Sequence, residues 1–245
     1  MVLTPVLILT AITIASAALF VVHERRTRDP LVDLGLFRDR VFTGAVLVTL
    51  LSTAVMCSLF FFLALYLPAV LALSSLQAAL SLLPLTLAIV LVAPLVGPLA
   101  ARLTSRTVVT AGMLLLAVGL VGLGALGLGA GEIALTFWPA LTGIGIGIAR
   151  TPTTAPALSP GAGSEYGMEA GVLNSVQATG LALGIAVMSV IIGSSFGPNG
   201  AFAGGIGPAH HAAFLEGFAI AITVNAGIAV VAAALAAGLM RPARR

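Results

Sequence analysis

The chain has 245 residues, of which 60% are hydrophobic and 8% are charged. Soluble domains carry about 25% charged residues, so the composition excludes an ordinary soluble domain. The formal net charge of +3 includes eleven basic residues, all of them arginines in separate loops, whereas a nucleic-acid-binding protein would need them clustered on one face.

Seven apolar segments follow one another along the chain, and we predict that each forms a membrane-spanning helix. A bilayer core about 30 Å thick needs roughly 20 helical residues, which most of the segments supply. The predicted spans are 1–22, 41–73, 78–101, 107–130, 133–149, 170–195 and 212–240, of which 133–149 is the shortest. The predicted fold is an all-α, polytopic transmembrane helix bundle. It comprises an isolated span at 1–22, a cytoplasmic connector at 23–40 and a six-helix bundle over 41–245.

The arginines are divided unequally between the two sides of the membrane. Alternating spans place loops 23–40, 102–106 and 150–169 and the tail after residue 240 on one side, and every arginine lies in these segments. Cytoplasmic loops carry an excess of Lys and Arg. We therefore predict a multi-pass protein of the cytoplasmic membrane, with its C-terminus inside and its N-terminus outside.

The first apolar segment, 1–22, has two interpretations. Ala15-Ser16-Ala17 is similar to a signal-peptide cleavage site, but no positive segment precedes it and five arginines follow within 23–40. This charge order favours a retained span over a signal peptide. An odd number of spans that begins outside is unusual for a complete transporter, and it indicates a missing segment upstream.

The residues that could carry enzymatic or metal chemistry are few and poorly placed. Cys57 lies inside a predicted span, where a small buried side chain is its ordinary role. His210 and His211 are adjacent in a glycine-rich loop with no Cys or Asp nearby, which is a poor set of metal ligands. We predict no catalytic residue, no metal site and no enzymatic activity.

Two glycine pairs are spaced four residues apart, which places both members on one helix face. They are Gly143 with Gly147 and Gly180 with Gly184. Small residues at this spacing let two helix backbones approach closely inside a membrane. The pairs are consistent with ordinary tight packing and equally with a helix that slides in a moving transporter.

Neutral polar residues are the candidates for a substrate site. No Asp, Glu, Lys or Arg lies near the middle of any predicted span, although ion-coupled transporters need such a group at membrane depth. Amide and hydroxyl groups beside Met and Phe suit an apolar, weakly specific cavity. We predict that the cavity is lined by Met56, Phe61, Tyr66, Asn174 and Gln177.

Three stretches carry a family resemblance. They are DPLVDLGLFR at 29–38, SSLQAALSLLP at 74–84 with its continuation GPLAARLTSR at 97–106, and GVLNSVQ at 171–177. In this order and spacing they resemble the C-terminal half of the fourteen-span drug:proton antiporters of the major facilitator superfamily. The resemblance implies efflux of small amphipathic drug-like molecules across the lipid bilayer, driven by a proton gradient without a bound cofactor.

The cytoplasmic loop motif of that superfamily matches here at Gly97, Arg102 and Arg106. The chain departs from the motif at Ala101, where the family usually has Asp, and at Thr104, where it usually has Gly. The resemblance implies a pairing between an acid and an arginine of this motif. In this chain the acid is missing from the motif, so the pairing cannot form locally.

The resemblance also implies that the coupling acids belong to the N-terminal half of such transporters, which nothing in this chain matches. We expect the chain to be inactive in export without an N-terminal half, or a second copy, as its partner. A non-transporting membrane scaffold or partner-binding remnant remains an alternative. An upstream reading frame with further spans would favour transport.

Overall fold

The computed structural model describes residues 38–71, 73–126, 132–154, 164–195 and 211–240, together with Leu19. The predicted span 1–22 and most of the connector 23–40 lie outside these residues. The helices of the described bundle are α1 (Arg40–Leu71), α2 (Ser75–Arg102), α3 (Ser105–Leu126), α4 (Glu132–Thr154), α5 (Ser164–Ser195) and α6 (His211–Leu239).

Five of these helices are long and apolar enough to cross a membrane. The candidate spans are Arg40–Pro68, Ser75–Pro98, Ser105–Gly124, Met168–Ser194 and Leu215–Leu239. The all-α transmembrane bundle predicted from the sequence is therefore confirmed.

The observed ends of α4 and α5 differ from the predicted boundaries of span 133–149 and loop 150–169. Helix α4 continues through Arg150 to Thr154 and is not one of the five candidate spans, while α5 already begins at Ser164. The change from apolar to polar residues after residue 149 marks the edge of the hydrocarbon core. A helix can continue beyond that edge into the headgroup region, because the bilayer is about 40–45 Å thick when the headgroups are included. The predicted loop is therefore too long at both ends.

Side-chain caps define where α1, α2 and α3 begin. The Val41 N–H donates to Asp39 Oδ1 at 2.9 Å ahead of α1. Ahead of α2, the Ser74 N–H donates to Gln77 Oε1 at 2.9 Å and the Gln77 N–H to Ser74 Oγ at 3.4 Å, a capping box. Ahead of α3, the Thr107 N–H donates to Thr104 Oγ1 at 3.4 Å. Such caps satisfy N–H groups that a helix leaves unpaired at its start.

The helices do not pack in chain order. Helix α4 packs between α2 and α3, and the consecutive helices α2 and α3 barely touch each other. Helix α3 also packs on α6, which contacts α1 and α5, and α1 packs on α5. The bundle thus has α2, α4 and α3 on one side and α6, α1 and α5 on the other.

The core is centred on α6, which packs on both α1 and α3, and Phe62, Leu120 and Ile222 are among its fully buried side chains. The ring of Phe218 in α6 packs edge-on against Phe62 at 5.7 Å between centroids and stacks on Tyr66 at 4.8 Å. Such aromatic pairs add to the stabilisation from burial alone.

The outward side of α2 is strongly apolar. It exposes Leu76, Leu80, Leu83, Leu87, Val90, Leu91 and Leu95. An apolar outer side is what a helix needs where it faces lipid tails or another bundle.

Candidate functional site

Three helices that are distant in the sequence meet at the side chain of Arg150. Its Nη2 donates to Gln177 Oε1 of α5 at 2.8 Å, and its Nη1 lies 3.3 Å from Met56 Sδ of α1. Arg150 itself belongs to α4 and is half-buried. The structure therefore brings two predicted cavity residues together around a positive charge.

This arrangement corrects the prediction that Arg150 belongs to a loop, and it brings the Arg150 side chain into contact with residues of two spans. Arg150 lies one turn before the end of α4. Met56 lies near the middle of the span Arg40–Pro68, and Gln177 lies more than two turns inside Met168–Ser194. Side chains on a helix tilt towards its N-terminus, so the long arginine side chain reaches back into the bundle from near the helix end.

The remaining predicted cavity residues are placed differently. Asn174 lies one turn before Gln177 on α5 and is exposed, while Phe61 of α1 is half-buried. Tyr66 is only 7% exposed and stacks on Phe218 in the core. Met56, Phe61 and Gln177 are thus only half-buried, whereas the Tyr66 ring is occupied by packing. The substrate role of all five residues stays a prediction.

A buried polar contact joins α1 and α6. Ser58 is 0% exposed and Asn225 is 2% exposed. The Ser58 hydroxyl lies 3.0 Å from Asn225 Oδ1 and 2.9 Å from the Val55 carbonyl oxygen. Neutral polar groups at membrane depth are candidate substrate contacts, but these two satisfy each other.

The predicted loop motif surrounds the turn between α2 and α3. Gly97 has nothing within 4 Å of the position of an added Cβ. Arg102 is exposed in the last turn of α2, where the helix dipole favours a cation. Arg106 is half-buried in the first turn of α3, an end of the helix where the dipole does not favour a cation.

Both predicted glycine pairs lie where one helix backbone touches another. A Cβ added at Gly180 would lie 2.6 Å from the Leu50 carbonyl oxygen of α1, and one at Gly184 would meet the carbonyl oxygen of Ala54. On α4, a Cβ at Gly147 would lie 3.2 Å from the carbonyl oxygen of Ile89 in α2.

A Cβ added at Gly143, the other member of this pair, would meet the Leu85 carbonyl oxygen of α2. Gly145, on the opposite side of α4, approaches α3, because a Cβ there would lie 2.5 Å from the Leu116 nitrogen. Glycines on both sides of α4 thus allow it to pack between two helices, a feature that the spacing of the pairs alone did not indicate.

No family model matches this chain, but individual proteins do. The puromycin resistance protein pur8 of Streptomyces alboniger is 33% identical over 224 residues, which cover 89% of this chain and 44% of that protein. The multidrug resistance protein Stp of Mycobacterium tuberculosis is 31% identical over 194 residues, covering 71% of this chain and 32% of its own length.

The tetracenomycin C resistance and export protein of Streptomyces glaucescens is 28% identical over 264 residues, covering 92% of this chain and 49% of that protein. The chain is thus similar over most of its length to drug-resistance and export proteins. This relationship confirms the resemblance inferred from the sequence motifs. The chain spans about half, or less, of the length of these relatives.

The relatives also bear on the class of protein. Their names describe resistance and export rather than enzymes, and the apolar helices make this chain a multi-pass membrane protein. The described residues contain no group of three or more His, Cys, Asp or Glu side chains that could hold a metal ion.

Proposed function

We propose that this chain is the C-terminal bundle of a proton-coupled multidrug efflux antiporter that exports small amphipathic molecules through the cytoplasmic membrane. The observation that carries the proposal is the similarity to resistance and export proteins along 71–92% of the chain. The bundle of apolar helices is consistent with membrane transport.

Alternating access explains why such a bundle would need a partner. In transporters built from repeats, two bundles rock about a site that lies between them. Met56 and Phe61 of α1 and Asn174 and Gln177 of α5 would supply one wall of that site. The opposite wall would come from an N-terminal bundle or from a second copy of this chain.

The positions of the acidic residues in the described spans favour a proton-binding site outside this bundle. The acids of the five spans are Glu169 and Glu216, each next to a span end. A carboxylate that binds and releases a proton during transport has to lie at membrane depth. We therefore expect the partner bundle to hold the coupling acid.

A chimera with a relative tests the proposal. This chain would replace the matched segment of the puromycin resistance protein, with which it shares 33% identity. We expect the chimera to protect cells against at least one member of a panel that contains puromycin and amphipathic dyes of positive, neutral and negative charge. The chain alone, in liposomes with an imposed pH gradient, should accumulate none of the dyes.

Expression of the chimera in the membrane is the control, measured by blotting against a shared tag. A well-expressed chimera that protects against no compound would contradict the transport function and favour the membrane scaffold. Gradient-dependent uptake by the chain alone, abolished by a protonophore, would instead show that it is a complete transporter.

A further inference from the structure

The guanidinium of Arg150 contacts two of the predicted substrate residues. It contacts Gln177 at 2.8 Å and Met56 at 3.3 Å, and α5 exposes Asn174 one turn away. The surroundings of Arg150 therefore combine a positive charge, an amide and a polarisable thioether, with a second amide one turn away on α5. Small-molecule sites typically have this composition, in which a few polar groups are set among apolar side chains.

The chemistry of arginine indicates which ligands Arg150 would bind. A guanidinium keeps its positive charge in proteins, and its planar fork of N–H donors matches carboxylate and other oxyanion groups. Electrostatic attraction grows as water is excluded, and Arg150 is half-buried among helices that cross the membrane. A positive charge in this position attracts anions and repels cations.

We propose that Arg150 is a specificity-determining residue that binds the anionic group of amphipathic substrates. This inference rests on the proposed transport function and names the substrate class: molecules with an aromatic or aliphatic body and a carboxylate, sulfonate or similar oxyanion. The body of the molecule would lie against Met56 and Phe61, while Gln177 orients the guanidinium and Asn174 contributes an amide at the edge.

A purely structural role for Arg150 makes a different prediction. The side chain joins α4 to α1 and α5, helices that otherwise have few contacts with α4. If it served only as a clamp, its loss would lower stability and would affect charged and neutral ligands alike. The charge dependence of binding therefore separates the two roles.

The test compares two probes that differ by one sulfonate, 1-anilinonaphthalene-8-sulfonate and N-phenyl-1-naphthylamine. Equilibrium dialysis against the full chain in lipid nanodiscs gives each Kd after subtraction of binding to empty nanodiscs. We expect Arg150→Gln to weaken binding of the sulfonate by about 10-fold, as loss of a charge-assisted hydrogen bond would, and to leave the neutral probe within about 2-fold. Arg150→Lys should retain part of the preference.

Arg38→Gln is the matched control. This variant loses the same positive charge as Arg150→Gln, but at an exposed position just before α1. Thermal unfolding of each variant shows whether the bundle is intact. Equal loss of both probes in Arg150→Gln, an unchanged sulfonate affinity, or no binding of the sulfonate by the wild-type chain would overturn the inference. A chimera that exports neutral or cationic dyes would still support the proposed function in any of these cases.

Discussion

Ser58 and Asn225 show how single residues shape the interior of the bundle. Both are buried, and Asn225 lies near the middle of α6. A polar side chain at such a depth must find its partner inside the protein, because lipid offers none. Their contact at 3.0 Å provides that partner and joins α1 to α6.

We expect this pair to show measurable coupling. A double-mutant cycle with Ser58→Ala and Asn225→Ala should give an interaction free energy of about 0.6 kcal/mol and no more than about 1.7 kcal/mol, the range found for hydrogen bonds between membrane helices. The measurement is unfolding in mixed micelles, followed by circular dichroism.

Thr223→Val supplies the control for that cycle. Thr223 is exposed on α6, and its hydroxyl donates to the Ala219 carbonyl oxygen of the same helix at 2.8 Å. Its combination with Ser58→Ala should be additive. A coupling energy indistinguishable from zero for Ser58 and Asn225 would mean that the contact does not hold α1 against α6.

At the scale of the helices, glycine determines which elements can come together. Helix α5 approaches α1 at Gly180 and Gly184, and α4 approaches α2 and α3 on opposite sides. Lipid tails are as apolar as the side chains they replace, so close van der Waals contact contributes much of the free energy of helix association. These contacts therefore depend on the absence of a Cβ.

Alanine substitutions in α5 should act in opposite directions at two glycines. A Cβ at Gly184 would lie 2.8 Å from the Ala54 Cα, whereas one at Gly193 would have nothing within 4 Å. We expect Gly184→Ala to lower the free energy of unfolding by about 1–3 kcal/mol through overpacking. Gly193→Ala should raise it by about 0.5–1 kcal/mol, because alanine loses less backbone entropy in a helix.

Thermal unfolding of the two variants side by side checks this expectation, and Gly193→Ala serves as the internal control. Equal stabilisation by both substitutions would show that α5 and α1 are farther apart than the structure places them.

At the scale of the whole molecule, the distribution of arginine predicts which side each turn faces. Helix α2 has 28 residues, or about 42 Å at 1.5 Å per residue, which is enough to cross the bilayer. Its end at Arg102 is followed by Arg106 in the first turn of α3, while its start at Ser75 has no arginine nearby. The positive-inside rule then places Ser75 outside and Ser105 inside.

Single cysteines at these positions test the orientation. In a Cys57→Ala background, an impermeant thiol reagent should label Ser75→Cys in intact cells and Ser105→Cys only after permeabilisation. Both serines are exposed, so labelling of both in lysed cells is the control. Labelling of Ser105→Cys alone in intact cells would reverse the predicted topology.

The amino-acid sequence by itself determined the class of this protein. Long apolar runs predicted the membrane-spanning helices, and the motifs at 74–84, 97–106 and 171–177 indicated the family that the relatives support. Hydropathy and short motifs are local properties, so a short window of sequence contains the information that they need.

The tertiary structure alone decided which residues meet. The packing of α4 between α2 and α3 could not be derived from chain order, because it depends on contacts between helices that are not consecutive. Arg150 was assigned to a loop from its polarity, yet its side chain reaches Met56 and Gln177. Side-chain reach and the choice of neighbouring helix arise from packing of the whole bundle, and the pattern of any single segment does not contain them.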